Sequence, residues 1–220
     1  MTVEIHEDIV NAAPRVRLGV LRATVRVEAS PPELRASLDR EFRAMTGNPS
    51  IATNITAANE LLRRLGKDCA RYRPSAAALS RRAGAGHEMY SVNNVVDINN
   101  LISMRSGICC GAYDSEQLLA SRRFRIGLRG ESYDGIGKNS INLERLPVFS
   151  DEQGPYGSPV SDSRRTMITL ATTRIELVFI DFAGDAALHT WIADAGALLR
   201  SHADATVQPI EIIGGPDDLL

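Results

Sequence analysis

The chain has 220 residues, of which 44% are hydrophobic and 24% are charged, and this composition is typical of a folded globular protein rather than a disordered one. Its formal net charge of −2 argues against a protein that holds nucleic acid mainly by bulk positive charge, because each neutralised phosphate requires a cation. The positive residues are almost all arginine, whose guanidinium group suits both phosphates and bases, so a local arginine surface remains open.

The sequence also indicates where the protein is expected to act. No run approaches the roughly 20 uncharged apolar residues that a membrane-spanning helix needs, because Glu176 and Asp181 interrupt the most apolar segment. The acidic N-terminal segment lacks the basic and apolar regions of an export signal. Three cysteines, two of them adjacent, do not suggest a disulfide framework. We therefore expect a cytoplasmic protein without a membrane partner.

The first half of the chain is predicted to be mostly helical. Partial alternation of apolar residues predicts a strand within residues 15–30. Apolar residues at helical spacing then predict four helices, in chain order from Pro31 through Met45, over 57–65, over 74–82 and over 94–106. Ser75 and Asn94 are the predicted N-terminal caps of the last two, and Gly107 is the predicted end of the fourth.

The second half is predicted to be mostly strands. The predicted strands cover residues 108–113, 124–128, 167–171, 175–182 and 207–213, with loops over 130–159. One late helix over 186–202 is predicted to turn five side chains inward, namely Leu188, Trp191, Ile192, Ala195 and Leu199. Helices first and strands later indicate the α+β class. One domain over 1–220 is expected, with its core at 30–205, a strand region at 15–29 and a loose tail at 214–220.

Several familiar chemistries do not fit the sequence. Residues 134–140 resemble a phosphate-binding loop, but Ser132 and Asn139 stand where its first glycine and final hydroxyl residue belong. No serine is flanked by glycines as in a nucleophile elbow, and the histidines lack metal-ligand spacing. Cys110 has no nearby histidine to activate it, so a buried strand cysteine is the simpler interpretation. We expect no metal and no organic cofactor.

The most specific signal is the run of residues 93–114, NNVVDINNLISMRSGICCGAYD. It resembles, without a gap, the B3/B4 domain of the phenylalanyl-tRNA synthetase beta chain, in which the same start leads to an apolar helix, a glycine and a His-Ala-Phe-Asp ending. Segments 71–82, 129–131 and 164–173 resemble further parts of this family in the same order. The resemblance covers residues 30–205 and implies a mixed β-sheet with flanking helices.

In the synthetase, the similar domain hydrolyses the ester of a wrongly charged tyrosine on the phenylalanine tRNA. The resemblance therefore implies a tRNA-interacting protein that acts at the acceptor end, with hydrolysis of misacylated tRNA as its activity; it implies no DNA partner and leaves the oligomeric state open. An aminoacyl ester is already activated, so hydrolysis needs a positioned water, donors for the oxyanion and a side-chain pocket, but no dedicated nucleophile. A complete synthetase is not implied, because nothing in the sequence resembles its catalytic core.

The resemblance also assigns candidate site residues. The expected catalytic positions are Asn100, Gly111 and Thr169, and the expected substrate-binding positions are Asn94, Arg129, Glu131, Thr172 and Val178. Gly111 stands where the synthetase has its pocket histidine, and Val178 stands where it has the glutamate that reads the tyrosine hydroxyl. A pocket without that buried acceptor loses its means of favouring tyrosine over phenylalanine. Simpler alternatives are a helix cap for Asn94, a solvated helix face for Asn100, turn chemistry for Glu131 and ordinary strand positions for the threonines.

A basic segment supplies the candidate RNA-binding surface. It contains seven positive residues and Asp68, a local charge of +6, and consists of Arg63, Arg64, Lys67, Arg71, Arg73, Arg81 and Arg82. Tyr72 lies among them for stacking, and Arg122, Arg123 and Arg125 form a second cluster. A solvated charged face is the simpler alternative. Two functions besides hydrolysis therefore remain open, a non-catalytic RNA-binding module and a protein whose pocket holds a free amino acid.

Overall fold

The computed structural model of the chain describes residues 3–137 and 139–215. Its α-helices are α1 (Glu7–Ala12), α2 (Pro32–Ala44), α3 (Ala52–Arg64), α4 (Ser75–Gly84), α5 (Asn94–Ser106) and α6 (Leu188–His202). Its strands are β1 (Val3–Ile5), β2 (Arg17–Thr24), β3 (Cys109–Asp114), β4 (Arg122–Ile126), β5 (Ser132–Asp134), β6 (Ser140–Asn142), β7 (Pro147–Asp151), β8 (Gly154–Gly157), β9 (Arg174–Asp181), β10 (Thr206–Val207) and β11 (Glu211–Ile213). Lys138 of the predicted loop and residues 216–220 of the predicted tail lie outside the described residues.

The strands form two larger sheets and a hairpin. In the five-stranded sheet, β10 and β11 pair with the same side of β2, followed by β9 and β3, all antiparallel. The four-stranded sheet has the order β1-β4-β7-β8, and its β1–β4 pair is parallel. Strands β5 and β6 form the hairpin. The predicted α+β class, with a mixed sheet and flanking helices, is confirmed.

Strand β9 separates two hydrophobic cores. Ile175, Leu177 and Phe179 pack with α2, α5 and α6 on one face of the five-stranded sheet. Val178 and Ile180 point to the other face and pack with residues of the four-stranded sheet. Because both faces are covered, β9 is apolar at consecutive positions instead of alternating. Each such side chain, when fully buried, contributes about 1.5–3 kcal/mol to folding.

Helix α5 carries the run that resembles the B3/B4 domain. The helix covers the predicted residues and ends at Gly107, whose φ of 72° is left-handed and whose added Cβ would lie 2.9 Å from the Cβ of Ile51. The predicted cap at Asn94 is wrong, because the Asn93 side chain accepts from the Val96 N–H. The predicted cap at Ser75 is also wrong, since Pro74 occupies that position of α4.

Several later predictions are wrong in detail. Residues 167–171 are not a strand, as 167–169 are irregular and 170–171 form a turn, because the Thr169 and Thr172 hydroxyls bond the local backbone in place of a ladder partner. The predicted loops of 130–159 contain β5 to β8, each too short to show a period. The last strand is interrupted and becomes β10 and β11. Trp191 on α6 is only half-buried, whereas the other four predicted inward residues are buried.

Candidate functional site

Gly111 and Val178 lie opposite each other on β3 and β9, in a filled aromatic core. Val178 is fully buried, and a Cβ added at Gly111 would lie 2.6 Å from the Cζ atom of Tyr113. A Cβ added at Gly157 would lie 2.7 Å from the same atom, so the two glycines hold the Tyr113 ring between their backbones. The predicted substrate contact at Val178 is therefore a core position, and the space beside Gly111 is occupied by tyrosine.

The Tyr113 hydroxyl contacts a half-buried acid, Asp162, which sequence analysis does not single out. The hydroxyl donates to Oδ1 of Asp162 at 2.9 Å, and the Ser158 N–H points to the same oxygen at 3.4 Å. Apolar surroundings raise the pKa of the Asp162 carboxyl to about 7, although the hydrogen bonds from Tyr113 and Ser158 oppose this rise. Burial, with the Asp162 charge nearby, raises the pKa of Tyr113 well above its usual range. The pair thus places a half-buried carboxyl group with a pKa near neutrality beside the aromatic core.

Asn94 is a structural residue in this fold. Its side chain is fully buried, its Nδ2 donates to the carbonyls of Arg26 and His202, and its Oδ1 accepts from the backbone of Glu28 and Val95. These bonds join the chain between β2 and α2 to the start of α5 and the end of α6. A substrate at Asn94 would have to break them, so the predicted binding role does not fit this geometry.

Asn99 and Asn100 of α5 have side-chain amide atoms without hydrogen-bond partners among the described residues. Asn99 is 6% exposed, its Nδ2 donates to the Cys110 carbonyl at 3.2 Å, and its buried Oδ1 has no hydrogen-bond partner among the described residues. Asn100 is half-buried, and no hydrogen bond engages its side chain within residues 3–137 and 139–215. Sequence analysis identifies Asn100 as a candidate but not Asn99, because residue spacing does not show which amide lacks a hydrogen-bond partner in the fold.

Thr169 and Thr172 lie together in the turn before β9. The hydroxyl of buried Thr172 donates to Oδ2 of Asp114 at 2.8 Å and accepts from the Thr169 N–H at 3.0 Å. Thr169 is exposed, and its hydroxyl accepts from the Ala171 N–H. The structure brings these two predicted residues together, but as a turn attached to β3. No hydrogen bond in the described part of the chain joins them to Asn100.

Arg129 and Glu131 line one side of a shallow depression of about 380 Å³. Glu131 is engaged, because its carboxylate binds the Arg125 guanidinium at 2.7 and 2.9 Å and accepts from the Leu128 N–H. The hydrogen bonds from Arg125 hold the pKa of Glu131 below its usual value. Arg129 is exposed, and the described residues give its side chain no hydrogen bond or ion pair. Of this predicted pair, Arg129 is thus the residue with a free functional group.

The basic segment brings together the residues that we call the Tyr72 cluster, namely Lys67, Arg71 and Tyr72. Lys67 Nζ lies 4.5 Å and the Arg71 guanidinium carbon 5.4 Å from the centre of the Tyr72 ring. The ring packs partly against a small core that includes Leu62 and Tyr133. Tyr72 is therefore not a free stacking platform, and its ring instead holds two cations at the surface.

The other predicted RNA-binding residues are spread over the surface. Arg63 and Arg81 are exposed, and no hydrogen bond or ion pair of the described residues engages their side chains. Arg64 donates to the Ala12 carbonyl, and Arg73 donates to the Ala70 carbonyl. Arg82 donates to the Glu88 carbonyl, with its guanidinium 5.3 Å from the Tyr90 ring centre. These residues do not converge on one point as Lys67 and Arg71 do.

The three residues of the second arginine cluster each pair with an acidic side chain of the protein. Arg123 pairs with Glu4, and Arg125 pairs with Glu131. Arg122 is buried and contacts the fully buried Glu176 at 2.6 Å, while Arg22 contacts the same carboxylate at 2.7 Å. Glu176, which sequence analysis does not identify, is the shared carboxylate of this buried ion-pair network. The cluster is thus structural and does not offer three free cations to a phosphate.

Neither the adjacent cysteines Cys109 and Cys110 nor any cluster of metal-ligating side chains offers a reactive site in the described residues. Burial raises the pKa of the Cys109 thiol and raises that of Cys110 well above its usual value, which leaves both protonated and weakly nucleophilic. No group of three or more histidine, cysteine or acidic side chains in the described ranges is arranged to hold a metal ion. Among the same residues, no helix combines the length and apolar character that crossing a membrane requires.

Similarity to known proteins identifies the family of this chain. A search of curated proteins gives no match. A solved N-terminal fragment of the phenylalanyl-tRNA synthetase beta subunit from Pyrococcus horikoshii is similar, with 11% identity and a TM-score of 0.48 over 94% of this chain and 50% of that one. This chain thus spans half the length of that fragment. The B3/4 domain family model matches residues 57–191, more than half of the chain and including the 93–114 run. The chain therefore belongs to the B3/4 domain family, as that run predicts.

Proposed function

We propose that this protein binds tRNA, with the Tyr72 cluster as part of the contact surface. Membership of the B3/4 family supports a tRNA-related function. The observation that carries the proposal is the pair of cations held over the Tyr72 ring, since no acidic side chain of the described residues lies within ion-pair distance of Lys67 or Arg71. Cations that are fixed at a surface and form no ion pair within the protein suit a phosphodiester backbone. The surface is local, which is compatible with the overall charge of −2.

The test is the affinity for deacylated tRNA, measured by fluorescence anisotropy over a range of salt concentrations. In the Lys67→Gln/Arg71→Gln variant, we expect weaker binding and a plot of log Kd against log salt concentration whose slope falls by about 2, one unit for each lost phosphate contact. The matched control is Arg35→Gln/Arg200→Gln, which removes the same charge from exposed positions on α2 and α6. Equal slopes in the two variants would contradict this surface, and salt-independent or undetectable binding by the wild type would contradict tRNA binding itself.

Hydrolysis of misacylated tRNA in trans is the second candidate function. The observation that favours it is the unsatisfied, buried Oδ1 of Asn99, whose Nδ2 donates to the Cys110 carbonyl. Asn100, the following residue of α5, has an unengaged amide. An amide oxygen without a donor inside a protein is an expected position for a bound water or ligand hydroxyl. In this proposal Asn100 orients the water or the terminal ribose, Thr169 and Thr172 border the site, and Gly111, Val178 and Asn94 support the fold instead of touching substrate.

A panel of correctly and wrongly charged tRNAs tests this second function. We expect one charged species to be deacylated by the wild type and spared by Asn100→Ala, with tRNA affinity unchanged in the variant. Asn59→Ala on α3 is a matched control, because it removes an amide from a different helix. If no species is hydrolysed while tRNA is still bound in a salt-dependent way, the protein is a binding module.

A further inference from the structure

Arg145 meets the Tyr72 cluster from a distant part of the chain. Gly66 precedes Lys67, and a Cβ added at Gly66 would lie 3.7 Å from Nη1 of Arg145. Burial is the first cause that lowers the pKa of Lys67; repulsion from Arg145 and Arg71 adds to it, and Glu144 opposes it. These three cations therefore share one neighbourhood. Within residues 3–137 and 139–215, no hydrogen bond or ion pair engages their side chains.

The backbone holds Arg145 in a conformation that arginine rarely adopts. Its φ is 58°, in the left-handed region, which costs a residue with a Cβ about 1–2 kcal/mol. The loop is fixed on both sides of Arg145, because its own N–H donates to the Gly127 carbonyl at 2.8 Å and the Gly127 N–H donates to the Leu146 carbonyl at 2.7 Å. Leu143 and Leu146 are fully buried. A rigid loop thus presents an exposed arginine where glycine or asparagine would be less strained.

The same loop connects the Tyr72 cluster with the depression that contains Arg129. Glu144 lines that depression together with Arg129 and Ser140, and it also influences the charge of Lys67. Glu144 therefore borders both the depression and the three cations, and the depression is lined by two acids, Glu131 and Glu144. The basic face consists of Lys67 and Arg71 with Arg145, which is far from them in sequence, and Glu144 lies at its border.

We propose that Arg145 completes, with Lys67 and Arg71, a phosphodiester-binding site for the RNA backbone. This inference rests on the proposed tRNA binding and adds the residue that completes the contact surface. A phosphate at this point relieves the mutual repulsion of three cations, and a guanidinium group can donate two parallel hydrogen bonds to it. Tyr72 contributes by fixing Lys67 and Arg71, without stacking on a base.

The experiment compares Arg145→Asn with Arg200→Asn, each in the full chain. Asparagine tolerates the left-handed conformation, so Arg145→Asn removes the charge and leaves the loop without strain. Fluorescence anisotropy measures binding of deacylated tRNA, and of a DNA duplex of similar length, at several salt concentrations. For Arg145→Asn we expect about tenfold weaker tRNA binding at moderate salt and a slope reduced by about 1. Arg200→Asn is expected to match the wild type.

The outcomes separate this inference from the function on which it rests. If the wild type binds tRNA in a salt-dependent way but Arg145→Asn and Arg200→Asn behave alike, the site at Arg145 is wrong while tRNA binding stands. If the wild type does not bind tRNA, both fall. Equal affinity for tRNA and duplex DNA would overturn the assignment to RNA. A thermal melt of each variant accompanies the binding, and a lower melting temperature with unchanged affinity would make Arg145 a stabilising residue only.

Discussion

The hydroxyl of Tyr113 donates to Oδ1 of Asp162 at 2.9 Å, and the ring that carries it lies between the backbones of Gly111 and Gly157. Gly111, which the family resemblance marks as a pocket position, is therefore covered by a tyrosine whose hydroxyl hydrogen-bonds to a half-buried acid. The functional groups nearest to Gly111 are thus the phenol of Tyr113 and, hydrogen-bonded to it, the carboxyl of Asp162. This pair affects the pH dependence of stability and the tolerance of substitutions at Gly111.

The first prediction concerns the pH dependence of stability. Burial raises the pKa of Asp162 from its usual value of 3.8 to about 7 in the folded protein, so the folded state binds more protons than the unfolded state between these values. The contribution of this group to the free energy of unfolding is therefore greatest below about pH 4 and declines as the pH rises to about 7. The decline amounts to at most about 4 kcal/mol, and solvent screening at the partly exposed carboxyl makes it smaller. Urea unfolding at several pH values measures the free energy of unfolding.

Asp162→Asn isolates this contribution, since the amide oxygen can still accept from Tyr113 while the titrating group is gone. We expect the variant to lose less stability than the wild type as pH rises through this window. Asp134→Asn, at an exposed position whose side chain has no hydrogen bond or ion pair among the described residues, is the control and should follow the wild-type curve. An unchanged pH slope in Asp162→Asn would show that the carboxyl does not titrate there.

The second prediction tests the packing beside Gly111. A methyl group at this position would overlap the Tyr113 ring, which Gly157 prevents from moving away. We expect Gly111→Ala to lower the free energy of unfolding by about 1–3 kcal/mol. Gly84→Ala on α4, where an added Cβ meets nothing within 4 Å, should instead be neutral or stabilise by about 0.4–1 kcal/mol. Urea denaturation of both variants measures the difference, and a stable Gly111→Ala protein would mean that an open space lies beside β3.

Local signals explain which parts of the fold could be predicted. Helix α5 combines a cap, an apolar pattern and a terminal glycine within one segment. Strand β9 is a long, mostly apolar run. Local sequence therefore predicts both elements near their observed bounds. Strands β5 and β6 have only three residues each, too few to show alternation between turn residues. Their pairing is a tertiary property that the local sequence does not encode.

The candidate site was less predictable, because its decisive contacts cross large sequence distances. Asp162 lies 49 positions after Tyr113, and no spacing rule connects them. Arg145 lies beside Gly66, far from it in sequence, in a loop before β7 whose backbone is hydrogen-bonded to Gly127. The choice between Asn93 and Asn94 as a cap depends on a single step of register, since either amide suits the start of a helix.

The third prediction separates the two asparagines of α5 that the resemblance marks. Asn94→Ala leaves the Arg26 and His202 carbonyls and the Glu28 N–H without their buried partner, so we expect a loss of about 2–4 kcal/mol in the free energy of unfolding. Asn100→Ala removes a half-buried side chain with no hydrogen bond in the described structure, and its effect should stay within about 0.5 kcal/mol. Chemical denaturation measures both. Comparable losses would contradict the structural role of Asn94.

The fourth prediction concerns Glu176, the buried carboxylate that contacts both Arg22 and Arg122. The Glu176 carboxylate balances the charge of two buried or half-buried guanidinium groups. Without its negative charge, their positive charge remains in the protein interior, which solvates it poorly. We therefore expect Glu176→Gln to lose about 3–5 kcal/mol in the free energy of unfolding, measured by urea denaturation at neutral pH. Glu211→Gln is the matched control, because its carboxylate contacts Arg22 at 2.8 Å but its side chain is 38% exposed, and solvent there limits the loss to about 1 kcal/mol. If the two variants lose the same amount, burial does not set the strength of this network.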